Sequence, residues 1–242
     1  RHMVGRSVAS VYPSSSIEPA EPILKVQGLS GGMIEDVSFE LRKGEILGFG
    51  GLIGAGRTET MRLLFGIDSV ESGTIQINGK AHNFKHPKEA VAAGMGFVPE
   101  DRKNQSIVAL LSVEKNMLLA ALRTVATIGY IRLSKARKLA AEFASRLRIK
   151  MSSARQAIKY LSGGNQQKAV LAKWLILNPT ILILDEPTRG IDVGAKAEIY
   201  ELMNELREAG VAIIMVSSEL PELLGMSDRI CVMASGRLTA TL

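Results

Sequence analysis

A single cysteine, Cys231, in 242 residues leaves nothing to pair with, so a disulfide framework is excluded and a reducing compartment is favoured. It lies in the apolar run Ile230–Met233, where a small buried core residue is the simplest reading. Long apolar runs are missing too. The longest, around Ile181–Leu184 and Val211–Val216, are strand-length and far from the roughly 18–20 residues of a membrane-spanning helix. Any service to a membrane is therefore given from the aqueous side. There is no internal repeat. Acidic residues are scarce in one place, Arg132–Lys159, which holds nine Lys or Arg and only Glu142 against them.

What is present suits one or two globular domains, with 46% hydrophobic and 22% charged residues. The net charge of +6 comes from the Arg132–Lys159 segment, and the remainder of the chain is slightly acidic. Such a stretch suits nucleic acid, anionic lipid or an acidic partner surface, and a solvated helix face explains it equally well. Arg1-His2-Met3 reads as the remnant of an expression tag, and Ser7–Pro22, rich in Ser, Pro and Ala, reads as a linker. Residues 1–22 are thus set apart from a domain over 23–242, and a linker in that position suggests a longer parent chain.

Short strands and turns fill Ile23–Asn78, with a strand at Glu45–Gly50, a glycine-rich loop, and a helix that Gly66 closes. The middle reads as helical: Ser112–Leu122, Lys135–Arg148, and a third helix from Gly163-Gly164 to about Asn178. Strands at Ile181–Leu184, Val211–Val216 and Arg229–Met233 then alternate with helices at Val193–Ala209 and near Glu222. Unalternating apolar runs separated by helices predict a parallel sheet covered on both faces.

Gly51-Leu52-Ile53-Gly54-Ala55-Gly56-Arg57-Thr58 fits the phosphate-loop pattern at every position but one. Glycines allow backbone N–H groups to turn around phosphate oxygens, and the helix behind presents its positive end. Thr58 is suited to place a hydroxyl on Mg²⁺. Arg57 is the departure: it keeps the charge of the usual lysine but carries a broad planar fork, so the exchange is not conservative. On its own, such a loop could equally be a structural glycine turn.

Two further motifs follow. The strand Ile181–Leu184 delivers Asp185 and Glu186, the first suited to hold Mg²⁺ beside Thr58 and the second to orient or deprotonate a water. Leu161-Ser162-Gly163-Gly164-Asn165-Gln166-Gln167 opens a helix and could offer free N–H donors and a hydroxyl to an anion, although a plain helix cap fits those residues as well.

The three motifs, in this order and spacing, resemble the ATPase subunit of ABC transporters. The resemblance implies an α/β fold of the P-loop ABC type, with a mostly parallel core sheet, an antiparallel β subdomain, and an inserted α-helical subdomain over about 101–160. Gly54–Glu59, Glu100-Asp101-Arg102-Lys103, Leu161–Lys168 and Val216-Ser217-Ser218-Glu219 are similar to monosaccharide importers of the ribose, galactose and xylose type, and to the second of the two ATPase domains that those importers fuse. Met3–Arg6 with Tyr12-Pro13 resembles the joint between the two domains.

This resemblance implies ATP and Mg²⁺ as ligands, with Gly51, Gly54, Ala55, Gly56, Arg57, Thr58 and Glu59 on the nucleotide and Thr58 and Asp185 on the metal. Glu186, Ser218 and Glu100 take the catalytic positions. Leu161, Ser162, Gly163, Gly164 and Gln166 form the signature that completes the site of a second ATPase domain, and Asp192 lies in the D-loop. Three positions depart from the family: Arg57 replaces lysine, Glu100 replaces glutamine and Ser218 replaces histidine. No histidine takes over, since His2 lies in the tag and His82 and His86 in an early loop, and no aromatic residue lies between Lys25 and Val37 to stack on adenine. Glu100 adds negative charge near phosphate, for which Mg²⁺ or Arg102 would compensate.

The implied protein is an ABC-type ATPase that is weakly active or inactive in isolation. It is the energy-coupling half of a bacterial sugar importer on the cytoplasmic face of the membrane. Its partners are a fused upstream half and membrane-spanning permease subunits, with a sugar-binding protein acting indirectly and no nucleic acid. A soluble ABC ATPase acting on ribosome or nucleic acid, a nucleoside importer of the same plan, and a regulatory nucleotide-binding module without turnover are the alternatives.

Overall fold

The structure, a computed structural model, describes residues 20–127 and 130–242. The proposed tag, the interdomain joint and most of the linker lie outside them. Pro22, expected to end the linker, is already the first residue of a strand.

The first third runs β1 (Pro22–Gly31), β2 (Ile34–Arg42), β3 (Ile46–Gly51), α1 (Arg57–Leu64), β4 (Ser72–Ile77) and β5 (Lys80–His82). The middle holds α2 (Pro87–Ala92), β6 (Met95–Val98), a π-helical turn Arg102–Ser106, α3 (Val113–Leu118), α4 (Leu122–Val125), the short hairpin β7 (Ala126–Thr127) and β8 (Tyr130–Ile131), and α5 (Leu133–Arg146). The last third is α6 (Gly163–Leu175), β9 (Ile181–Asp185), α7 (Val193–Glu208), β10 (Ala212–Val216), α8 (Leu220–Met226), β11 (Arg229–Ala234) and β12 (Arg237–Thr241).

The main sheet has the order β12-β11-β3-β10-β9-β6, and its five strands from β11 to β6 are parallel. A second, antiparallel sheet has the order β2-β1-β4-β5, with Asn78 and Gly79 both at positive φ in its two-residue turn. The central strands alternate between two apolar cores. Leu182, Leu184, Ile213 and Met215 join the core that extends into the helical segment, while Ile181, Ile183, Ala212 and Ile214 join the core under the antiparallel sheet. A parallel sheet buried on both faces therefore separates them. No helix among the described residues is long and apolar enough to cross a membrane.

Several elements differ from the sequence reading, each for a local reason. The helix expected over Ser112–Leu122 stops at Leu118, and a turn and α4 follow, with Ala121 and Val125 buried in the same core as Ala136 and Ala140 of α5. The helix expected to reach Arg148 ends at Arg146, because Arg148 adopts φ +49° and the Ile149 N–H turns back to the Ala144 carbonyl at 2.9 Å. Asn178, also at positive φ, lies beyond the end of α6 at Leu175. Strands β6, β7 and β8 had no counterpart in the sequence reading, being too short to show a period, and neither had β12, which is as long as β9 but mostly exposed and carries no apolar run.

Candidate nucleotide site

Strand β3 delivers the phosphate loop at the middle of the main sheet, between β10 and β11, where chain crossovers part to either side. Three of its glycines have φ values closed to most side chains: Gly51 at +151°, Gly54 at +79° and Gly56 at +98°. Space is equally restrictive at Gly56, where a Cβ would lie 2.6 Å from Ile34 Cδ1. Ala55 is buried and its N–H bonds to the Leu52 carbonyl at 3.0 Å, while Leu52 and Ile53 stand out in solvent at the tip. Helix α1 begins at Arg57 without a side-chain cap, so its first N–H groups remain open toward the loop. Thr58 and Glu59, in its first turn, are partly buried.

Asp185 ends β9 almost wholly enclosed, at 1% exposure, and neither carboxylate oxygen has a partner in good hydrogen-bond geometry. Burial pushes its pKa up to about 6, while the Thr58 hydroxyl, close enough to stabilise the carboxylate, and Arg57 act against that rise. A buried carboxylate short of partners, with a hydroxyl beside it, fits a hard cation such as Mg²⁺. Among the described residues no cluster of three or more His, Cys, Asp or Glu forms a self-sufficient metal site, so the cation would need water and phosphate oxygens as well.

Glu186, next in line, sits at φ +50° in the turn after β9. One oxygen accepts a hydrogen bond from the Ser218 hydroxyl at 3.1 Å, and the other lies 3.6 Å from Arg57 Nη1. The same Nη1 donates to the Ser217 carbonyl at 2.8 Å. Burial raises the Glu186 pKa, and the Ser218 hydrogen bond and Arg57 partly oppose it. Ser218 thus bonds to the acid itself, across the end of the sheet. Behind it, the fully buried Ser217 hydroxyl and Thr188 Oγ1 both donate to Glu222, a carboxylate at 1% exposure. The sequence reading used Glu222 only to mark a short helix and gave it no role in the site. It looked like an ordinary first-turn acid of a short helix.

Glu100 follows β6 and forms an ion pair with Arg189, which lies in the loop between Glu186 and α7. The sequence reading offered Mg²⁺ or Arg102 as the compensating charge; the side chain paired with Glu100 is instead Arg189. Arg102 turns inward, donates to Gln167 Oε1 at 3.2 Å, and lies against Gly163, where an added Cβ would come within 3.3 Å of its Nη2. Burial lowers its pKa. Arg189 was missed because nothing in a loop sequence indicates the direction of a long side chain.

Ser162 precedes α6 and is exposed, but its hydroxyl caps no backbone N–H; it instead accepts from Asn165 Nδ2 at 2.9 Å. The plain cap weighed against the anion role is therefore not formed. Leu161 is buried, and Gln166 braces the entry by donating to the Ile158 and Leu161 carbonyls. A Cβ on Gly164 would meet that of Ala195 at 2.5 Å, so the starts of α6 and α7 are in direct contact. Asp192 caps α7, accepting from the Ala195 N–H at 3.0 Å.

Residues 34–189 match the ABC transporter family. The chain belongs to that family. Over the whole chain, this ABC domain is 50% identical to the ribose import ATP-binding protein RbsA 2 of Streptomyces coelicolor and 49% identical to RbsA of Lactococcus lactis subsp. cremoris, covering 47% and 49% of those proteins. It spans about half the length of the curated relatives it matches. Its backbone follows an ATP-binding cassette of an ABC transporter in the ADP conformation (TM-score 0.74, 20% identity, 92% of this chain and 91% of that one). It also follows a dimeric cassette in a post-hydrolysis state bound to ADP and phosphate (TM-score 0.76, 21% identity, 90% and 97%). The ABC ATPase fold, with its parallel core sheet and antiparallel subdomain, is as the sequence implied.

Proposed function

We propose that this ABC domain is the energy-coupling half of a bacterial sugar importer's ATPase. In this reading it contributes more to its partner's ATP site than to its own. Relatives named for ribose import, each about twice as long as this chain, support both the sugar and a fused second half. The observation that supports the asymmetry is how the polar side chains at two helix starts are engaged. Neither α1 nor α6 has a side-chain cap on its first N–H groups, but Arg57, the cation of the phosphate loop, is held by Ser217 and Glu186, whereas Ser162 at the head of α6 stands exposed.

In its own site, Gly51 to Glu59 would surround the nucleotide phosphates, and Thr58 and Asp185 would hold Mg²⁺. When bound, Mg²⁺ supplies positive charge to the phosphate oxygens. Glu186 orients the attacking water, with Ser218 holding the acid and Glu100 lining the approach. In the partner's site, Leu161 to Gly164 and Gln166 would present the signature, and Asp192 would hold the adjoining loop. Permease subunits are the further partners, at the cytoplasmic face of the membrane. A cleft of about 440 Å³, lined in part by Phe65, Ile67, Phe97, Pro99 and Trp174, supports a contact of that kind.

The test is to mix this chain with the upstream half and measure ATP turnover for wild type and Ser162→Arg. A loss of at least about tenfold is expected, the scale of removing a transition-state donor. Unchanged turnover would refute the trans role.

A further inference from the structure

We infer that Arg57 is a competing self-ligand of its own site: Ser217 and Glu186 hold its guanidinium, and a phosphate must take it from them. The inference rests on the reading of Gly51–Thr58 as a phosphate loop and goes beyond it.

The geometry is specific. Arg57 Nη1 donates to the Ser217 carbonyl at 2.8 Å and lies 3.6 Å from Glu186 Oε1. The two side chains are only 10% and 9% exposed, so water screens the pair weakly. Neither acceptor is loose. The Ser217 N–H bonds to the Phe49 carbonyl at 3.2 Å, and its hydroxyl donates to buried Glu222. The Glu186 N–H bonds to the Val216 carbonyl at 2.9 Å, and the second oxygen of its carboxylate is held by Ser218. Both contacts converge on one nitrogen, Nη1, so a single end of the guanidinium serves the carbonyl and faces the carboxylate. The arginine in place of lysine is therefore more than a weaker phosphate ligand: it is directed across the loop, onto the acid expected to position water.

Two effects follow. Nucleotide affinity is reduced by the fraction of time that Arg57 is engaged elsewhere. Glu186 also loses its cation only when phosphate arrives, so the acid and the loop change state together.

The test is a double-mutant cycle on the full chain with Arg57→Ala, Glu186→Gln and the pair. Without nucleotide, urea unfolding should show coupling: the double variant's unfolding constant departs from the product of the two single effects by at least about threefold. Additive effects would overturn the pairing. Metal-free ADP titration then tests the competition. Glu186→Gln removes a negative charge in both backgrounds, but it releases a cation only where Arg57 is present. It should tighten ADP by about three- to tenfold more in the wild-type background than in the Arg57→Ala background. Equal tightening would overturn the competition. Coupling in unfolding with no ADP binding by any of the four chains would leave the pairing established and refute the phosphate-loop reading on which the competition depends, and the competition with it.

Discussion

The guanidinium of Arg189 is paired with the carboxylate of Glu100, linking the loop after β9 to the segment after β6. An acid at position 100 would repel nucleotide phosphate, and Arg189 offsets that charge at the place where it arises. Both side chains are substantially exposed, so the pair adds little to stability. Its effect should appear in binding. Arg189→Ala should weaken ADP binding by about three- to tenfold, and adding Glu100→Gln should restore most of the loss. Calorimetric titration of the three chains decides it, and failure of the second substitution to rescue would remove the compensation argument.

Glu222 ties three segments together by accepting from Thr188 and Ser217 from its own place in α8. Glu222→Ala would leave two buried hydroxyls without their acceptor. A loss of about 2–4 kcal/mol in urea unfolding is expected. Glu222→Gln keeps one acceptor and should recover roughly half of that.

Lys173 is buried in α6, where its ammonium donates to the Ser106 carbonyl at 2.9 Å, and burial lowers its pKa to about 8 from 10.5. Between those two values the unfolded chain binds more protons than the folded one, so this residue makes stability rise with pH. The contribution is present above 10.5 and lost as the pH falls through 8. From about pH 7.5 to about pH 9.5 wild type should gain about 1–2 kcal/mol relative to Lys173→Met. Unfolding curves at the two pH values would show it, and a constant gap between the chains would contradict it.

Gly164 leaves no room for a methyl group, which would sit 2.5 Å from Ala195 Cβ. Gly164→Ala should cost about 1–3 kcal/mol despite alanine's better helix propensity. Adding Ala195→Gly should return part of that by removing the clash. If Gly164→Ala stabilises the chain in thermal unfolding, the contact is not as close as described.

Much of the fold was legible because its signals are local. Strand β9 is an unbroken apolar run ending in Asp185-Glu186, and the glycines at 51, 54 and 56 declare a loop before α1 without any knowledge of neighbours. Helix α5 and strand β10 were visible by period or by run. Elements whose existence depends on a partner were not: β6 has four residues and is a strand only because β9 lies beside it. The candidate site divided in the same way. The residues on Gly51–Glu59, Asp185–Glu186 and Leu161–Gln166 could be named from their motifs together with the family that those motifs resemble. Their pairings could not, since Arg57 meets Ser217 across 160 positions and the Glu100–Arg189 pair lies on either side of the whole helical segment. Long cationic side chains reach several ångströms from their own backbone, and sequence does not say where.

The contact between the starts of α6 and α7 determines how this surface meets another molecule. Ser162 and Asp192 stand at the heads of two helices whose separation is fixed by the absence of one methyl group. A second domain approaching this edge would meet one pre-formed template. Little ordering entropy would remain to be lost on contact, so association would be limited by orientation and affinity set by how slowly the two bodies part.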